Sequence, residues 1–263
     1  MENSRPVRVV TFNTWKNDGD YAARLGAMAA GLRSLVPDVV LLQEVFRMAD
    51  GAADTGRFLA NALGLTLAYA PARRKLRRWR GHDADSESGL AVLVRGKVAR
   101  VERLSLPIDP RGGERIALLA DACLPGGRRM LAGCVHLSHL RDDAAGRRQQ
   151  LEAVLAHPRW REPANLCVLG GDFNATADQP ELAWLSAWGE LAVTDACAQS
   201  RVRRSTHPMP ACAGRPGRCI DFIFTVSPRE EAVPRVLNAG VALDAPVAGV
   251  WASDHAAVFA TVE

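Results

Sequence analysis

The stretch from Leu166 to Asn174 limits the possible folds more than any other in the chain. Leu166-Cys167-Val168-Leu169 is too short for an independent helix and predicts a buried strand. Gly170 and Gly171 end it with a turn that bulkier residues resist. A carboxylate and a carboxamide follow, at Asp172 and Asn174. Positions two apart in extended backbone share a side, so these two side chains can converge on one reacting group. An ionised Asp accepts a proton or binds a cation, and an Asn amide donates to a developing oxyanion. The same residues also suit a strand followed by a plain Asx turn.

Other segments surround this strand with similar runs. Val7 to Asn13 predicts a strand ending at Asn13. Tyr21, Leu25, Met28, Ala29, Leu32 and Leu35 keep helical spacing, and Pro37-Asp38 stops that helix. Val39-Val40-Leu41-Leu42 predicts a strand buried on both faces, delivering Gln43-Glu44 at its end. A short helix over Phe58 to Leu63 and a strand over Thr66 to Tyr69 precede a long loop reaching Ser88. Strands follow over Gly89 to Arg95, Val98 to Leu106, Ile116 to Leu124 and Arg129 to Leu137, with turns at Gly112-Gly113 and Pro125-Gly126-Gly127. A helix over Asp142 to Ala156 points Leu151, Val154 and Leu155 inward. Thr176 or Asp178 caps another helix, from Pro180 to Trp188. After a loop over Ser200 to Arg218, strands over Cys219 to Thr225, Arg235 to Leu243 and His255 to Val262 close the chain. About ten strands and four helices, in runs instead of strict alternation, predict an α/β fold of two stacked sheets with helices outside. At 263 residues, one domain over 1–263 is expected.

Composition removes several classes. With 48% hydrophobic and 24% charged residues, the chain matches a soluble globular protein. No apolar run approaches the roughly 20 residues that span a bilayer. Met1-Glu2-Asn3-Ser4 leads straight into Val7, without an apolar signal segment, so a cytoplasmic location is expected, and a monomer. The six cysteines lack metal-type spacing; Cys212 and Cys219 share a loop and could pair, although reduced thiols are the default there. Net charge is only +4, but Arg73 to Arg80 places six cations in eight residues around Trp79. Such a run holds phosphates or a membrane surface, with Arg77, Arg78 and Arg80 as candidate contacts, or is simply a solvated loop.

Polar residues suited to metal or phosphate chemistry collect at the apolar runs: Asn13, Glu44, Asp172, Asn174 and Asp254-His255. His136 sits among apolar neighbours in Cys134-Val135-His136-Leu137, and Asp221 in Cys219-Ile220-Asp221-Phe222. Each alone is compatible with a hydrogen-bonded core residue, but buried carboxylates are costly unless paired or metal-bound.

The order of these motifs resembles the endonuclease/exonuclease/phosphatase superfamily, which includes DNase I-like nucleases, sphingomyelinases and inositol polyphosphate phosphatases. The matching pieces are Phe12-Asn13-Thr14, Gln43-Glu44-Val45, Ser88-Gly89-Leu90, Val135-His136-Leu137, Gly171-Asp172-Phe173-Asn174, Ile220-Asp221-Phe222 and Ser253-Asp254-His255. The resemblance implies a four-layer αββα sandwich of two mixed sheets and a phosphodiester hydrolase. It also implies Mg²⁺ or Mn²⁺ on Glu44, with Asn13 and Asp254 nearby. Asp172 would orient or deprotonate water, Asn174 would steady phosphoryl oxygens, and Asp221 would hold His255 as an imidazolium. Oxygen ligands suit those ions, and a cationic His suits the transition-state charge. His136 resembles the DNase I, sphingomyelinase and inositol phosphatase branch, since abasic-site nucleases usually carry Tyr there. Cys219 departs from the family's frequent Arg, while Arg147 and Gln150 match a common scaffold pattern. A nuclease is the leading expectation, with nucleic acid as partner. The alternatives are a sphingomyelinase-like diesterase acting on a phospholipid headgroup or a small molecule, and a non-catalytic phosphate-binding module.

Overall fold

A computed structural model describes residues 5–198, 205–207 and 217–263. Among them, twelve strands form two six-stranded sheets. The first sheet runs β11 (Val236–Ala242), β12 (Ala257–Val262), β1 (Val7–Asn13), β2 (Val39–Met48), β4 (His82–Val94) and β3 (Thr66–Trp79). The second runs β5 (Lys97–Ser105), β6 (Ile116–Cys123), β7 (Arg129–His136), β8 (Leu166–Asp172), β10 (Asp221–Pro228) and β9 (Leu191–Asp195). The pairs β1–β2 and β7–β8 are parallel and the rest antiparallel, so both sheets are mixed.

Period-two burial decides the layering. Val9, Leu41 and Val92 of the first sheet pack against Leu118, Ala132, Val168 and Ile223 of the second. The opposite face of the first sheet, including Phe12, Leu42 and Leu93, is covered by Met28 and Leu32 of α1 (Tyr21–Ser34) and Leu59 of α2 (Thr55–Leu63). On the second sheet, Leu119, Leu169 and Phe222 lie under Leu151, Val154 and Leu155 of α3 (Ala144–Leu155) and Leu182 of α4 (Pro180–Ala183). This is the αββα sandwich that the motifs implied. Asp20, Asp54 and Asp143 accept hydrogen bonds from Ala23, Arg57 and Gly146, capping α1, α2 and α3. Glycine keeps the sheets close at one end: a Cβ at Gly170 would stand 2.7 Å from Leu41 Cδ1.

Several expectations need correction. The expected loop to Ser88 is instead a long hairpin, β3 and β4 pairing from Thr66↔Val94 out to Trp79↔His82. Its polar sequence hides strands because it extends beyond the core and buries little apolar surface. Glu44 does not end its strand: β2 continues to Met48 through an irregularity between Leu42 and Val45. The helix after β8 is a short α4 followed by a 3₁₀ turn over Trp184–Ala187, and its N-cap is Gln179. Gln179 takes the Thr176 backbone N–H at 2.7 Å, so neither Thr176 nor Asp178 caps it. β9 was not anticipated, and β12 begins at Ala257, which leaves His255 before the strand. Cys212, and with it the question of a Cys212–Cys219 pair, lies outside the described residues, as does most of the second long loop. No described helix is long and apolar enough to cross a membrane.

Candidate active site

Register brings three predicted residues side by side. His136 at the end of β7 is opposite Asp172 at the end of β8, and Asp221 at the start of β10 is opposite Asp172 on its other side. Gly171 makes this crossing possible, because a Cβ there would collide with the Val135 carbonyl. Asp172 is 1% exposed, and its two oxygens have separate work. Oδ1 accepts the Asn174 backbone N–H at 2.9 Å, an Asx turn that places Asn174 at φ 52. Oδ2 accepts Asn13 Nδ2 at 3.1 Å and stands 3.5 Å from His136 Nε2 and 3.6 Å from His255 Nε2. The Asx turn and the polar cluster are thus the same feature. Asn174 Nδ2 donates to the Leu137 carbonyl at 3.1 Å.

His255 donates from Nδ1 to Asp221 Oδ2 at 2.9 Å. Burial opposes charge on this imidazole, but Asp221 and Asp172 outweigh it and raise its pKa to about 10. Asp172 is raised as well, by burial first and then by the Asp221 carboxylate. The other two imidazoles go the opposite way. His136 is held well below the ordinary histidine range by burial and the nearby Arg115, and His207 is pushed down to about 4 by burial and His255. His207, whose ring is tilted against that of His255 with centroids 4.0 Å apart, carries no signal in the sequence, where it sits in a segment rich in Arg, Pro and Gly. One cation and two neutral rings therefore surround the carboxylates.

The first sheet supplies the facing wall. Glu44 adopts φ 54 at the β2 irregularity and ion-pairs through Oε2 with Lys16 Nζ at 2.8 Å. Opposite that irregularity stands Gly89, where any Cβ would overlap the Ala70 carbonyl; this close approach explains the Ser-Gly-Leu motif. Arg24, 2% exposed, braces the loop carrying Lys16 by donating to the carbonyls of Asp18 at 2.6 Å and Ala252 at 3.2 Å. Its signal was its place one helical turn from Tyr21, on the inward side of α1. Ser253 Oγ donates to the Asn13 carbonyl at 2.7 Å and so fixes Asp254 and His255 against β1. Behind the segment after β7, Arg147 pairs with Glu181 at 2.7 Å and Gln150 Oε1 accepts the Ser138 N–H at 3.0 Å.

Asn13, Glu44, His136, Asp172, Asn174, Asp254 and His255 all line one cleft of about 380 Å³. Asp221 lies behind His255. Two triads bring their ligand atoms within 4.8 Å of one another, Asp172–Asp221–His255 and His207–Asp254–His255; Glu44 belongs to neither. His255, as a cation, offers no lone pair to a metal, so the oxygen donors at the cleft wall are Glu44, Asn13 and Asp254. Asn13 Oδ1 accepts the Trp15 N–H at 3.0 Å and retains one lone pair, and the Lys16 ammonium at Glu44 already shows that carboxylate drawing a cation.

The hairpin divides its charges by face. Register places Arg73, Lys75 and Arg77 beside Ser88, Ser86 and Ala84, and Arg74 and Arg78 beside Glu87, Asp85 and Asp83. The first three line the cleft. Arg77 is clamped by Ser86 Oγ at 2.9 Å and Ser88 Oγ at 2.7 Å, while Arg74 pairs with Asp85 and Arg78 with Asp83. Of the predicted contacts, Arg77 therefore reaches the cleft and Arg78 and Arg80 do not; Arg80 lies over the Trp79 ring instead.

The sequence profile described as the Endonuclease/Exonuclease/phosphatase family matches residues 10–255, and the chain belongs to that family. No curated protein sequence is a significant match. Among solved structures, an endonuclease/exonuclease/phosphatase from Beutenbergia cavernae is 26% identical, with TM-score 0.72, covering 98% of this chain and 72% of that one. A humanized D. rerio TDP2 is 18% identical, with TM-score 0.77 and coverage of 98% and 99%. D. rerio TDP2 complexed with a single-strand DNA product is 20% identical, with TM-score 0.75 and the same coverage.

Proposed function

We propose that the chain is a divalent-metal-dependent phosphodiesterase acting on nucleic acid. The observation carrying this reading is the convergence of Asn13, His136 and His255 on Asp172 Oδ2, in a cleft that Glu44 shares. Glu44, Asn13 and Asp254 would hold a Mg²⁺ or Mn²⁺ ion, which would supply Lewis-acid polarisation of a phosphoryl oxygen. Asp172, with its proton affinity raised by burial, accepts the proton of the attacking water. His255, kept cationic by Asp221, balances charge that builds on the phosphoryl oxygens. Neutral His136 and the second N–H of the Asn174 amide donate to those oxygens. A purely phosphate-binding cleft would need no buried carboxylate with a raised pKa facing the anion.

Nucleic acid is favoured over a lipid headgroup by the cleft face of β3. Arg73, Lys75 and Arg77 recur every second residue, about 7 Å apart along a strand, which suits a chain of successive phosphates. Trp79, the residue that would enter a membrane, is packed edge-on against Tyr21 at 5.5 Å and beside Phe46 at 5.5 Å. His136 favours the branch that holds DNase I, the sphingomyelinases and the inositol phosphatases over the abasic-site branch, and does not separate nucleic acid from lipid. The test is a panel with Mg²⁺ or Mn²⁺: plasmid DNA, single-stranded DNA, RNA, sphingomyelin, inositol phosphates and bis-p-nitrophenyl phosphate. Hydrolysis of nucleic acid and of the chromogenic diester is expected; turnover of sphingomyelin alone would replace the nuclease reading.

A further inference from the structure

Arg115, just before β6, and His139, three residues after His136, line the same cleft on the side of Arg73. Arg115 Nη2 meets His139 Nδ1 at 2.7 Å. A guanidinium carries only donors, so His139 Nδ1 is the acceptor and the ring proton of the neutral form sits on Nε2. Burial and the adjacent guanidinium both hold His139 below the ordinary histidine range, consistent with that neutral form. Arg115 is therefore a positioning residue for an imidazole N–H donor.

The guanidinium feels Asp172 and Glu44 only at a distance. Among the described residues Arg115 forms no ion pair, and its Nε is buried without a hydrogen-bond partner. The neighbouring acid, Glu114, faces Arg73 instead, at 3.9 Å. A partly buried cation whose only partner is a neutral ring is costly unless an anion completes it. The segment carrying His139 is also tied down, through the Ser138 N–H on Gln150 and the Leu140 carbonyl on Arg147 Nη1 at 2.6 Å. A fixed donor pair results, a few residues along the chain from the reacting end.

We propose that Arg115 and His139 form a seat for a second phosphate of the substrate, next to the phosphodiester that is cleaved. This deepens the phosphodiesterase reading and rests on it for the identity of the first phosphate. The seat selects substrates bearing two neighbouring phosphates, as an oligonucleotide or a bisphosphorylated small molecule does, over isolated diesters. Hydrogen bonds to a charged group contribute about 1.5–3 kcal/mol, or roughly tenfold or more in affinity.

The test is equilibrium binding in EDTA, with two matched pairs: dithymidine monophosphate with and without an added 5′-phosphate, and inositol mono- and bisphosphate. The parent is expected to prefer the second member of at least one pair by roughly tenfold. His139→Gln and Arg115→Gln should bring that ratio towards one, and Arg115→Lys should restore it only in part, because lysine lacks the fork that fixes the ring. Nitrogen-15 spectra of the parent should show His139 with a bare Nδ1 and a protonated Nε2 that responds to the bisphosphorylated ligand. No preference in the parent, or a preference that survives His139→Gln in a folded protein, overturns the seat. A preference that obeys these rules in a protein without diesterase activity leaves the seat standing and removes the catalytic reading. Which pair shows it separates the nucleotide from the small-molecule source.

Discussion

At the end of β8 the charges are buried against one another: Asp172 and Asp221 are each 1% exposed and share the His255 imidazole. On the β3–β4 hairpin, across the same cleft, the charges are sorted by face, and the cations other than the buried Arg77 are exposed. Buried groups act over short range at low effective dielectric, where a neighbour decides protonation. The hairpin cations act over longer range and are screened by salt. Under the proposed function, one region would carry out the bond chemistry and the other would collect and hold a polyanion.

The sharpest way to break this division is to remove groups from the buried region. Losing a positioned acid–base or electrostatic group typically costs about 10²–10⁴-fold in rate. His255→Ala and Asp172→Ala should each show losses of that size on bis-p-nitrophenyl phosphate, a substrate without further phosphates for the hairpin cations. Because Asp221 touches His255 at 2.9 Å, the Asp221→Ala, His255→Ala double variant should be barely slower than His255→Ala. Multiplicative losses in kcat/KM would show that Asp221 works apart from His255.

A second expectation concerns pH. The His255 pKa is raised, so its cation persists at neutral pH and is lost as pH rises through about 10. Asp221→Asn removes the carboxylate chiefly responsible and should move that loss towards neutrality. The His255 ring resonance, followed by NMR, and the alkaline limb of kcat/KM should shift together. An unchanged His255 titration would mean that another group sets its charge.

The smallest effect belongs to the hairpin. Each phosphate neutralised contributes about −0.9 to the slope of log affinity against log salt for duplex DNA, or about −0.7 for single strands. Changing Arg73, Lys75 and Arg77 together to Gln should flatten the slope by roughly 2–3 units. The same change at Arg74, Arg78 and Arg80, outside the cleft, should flatten it far less. Equal responses would show that the face of the strand does not matter.

The two regions also differ in how far their sequence could be read. Apolar runs ending in Asn13, His136 and Asp172 declared both strand and site, because burial leaves few alternatives to a polar residue there. Glu44 was legible as a residue but not as a bulge, since its φ of 54 falls where the β2–β4 register shifts between Leu42 and Val45, which its own side chain does not announce. Ser253 acts through the Asn13 carbonyl, far away in sequence, and Arg24 reaches Ala252 as well as the nearby Asp18 carbonyl, so their partners are set by the fold. The hairpin read as a loop because its strands are polar on both faces. Its signal was present in Asp83-Ala84-Asp85-Ser86-Glu87-Ser88, where acids alternate with small residues at the strand period.

The most direct measurement is hydrolysis of bis-p-nitrophenyl phosphate by EDTA-treated protein, before and after adding Mg²⁺ or Mn²⁺, in the parent and in Glu44→Gln. Glu44 is partly exposed at the cleft wall, so the variant should keep the parent's circular dichroism and melting behaviour. The treated parent should be inactive and recover on adding either ion, while Glu44→Gln should recover little. Full activity of the treated parent without added metal, or equal recovery in the variant, would contradict metal dependence through Glu44.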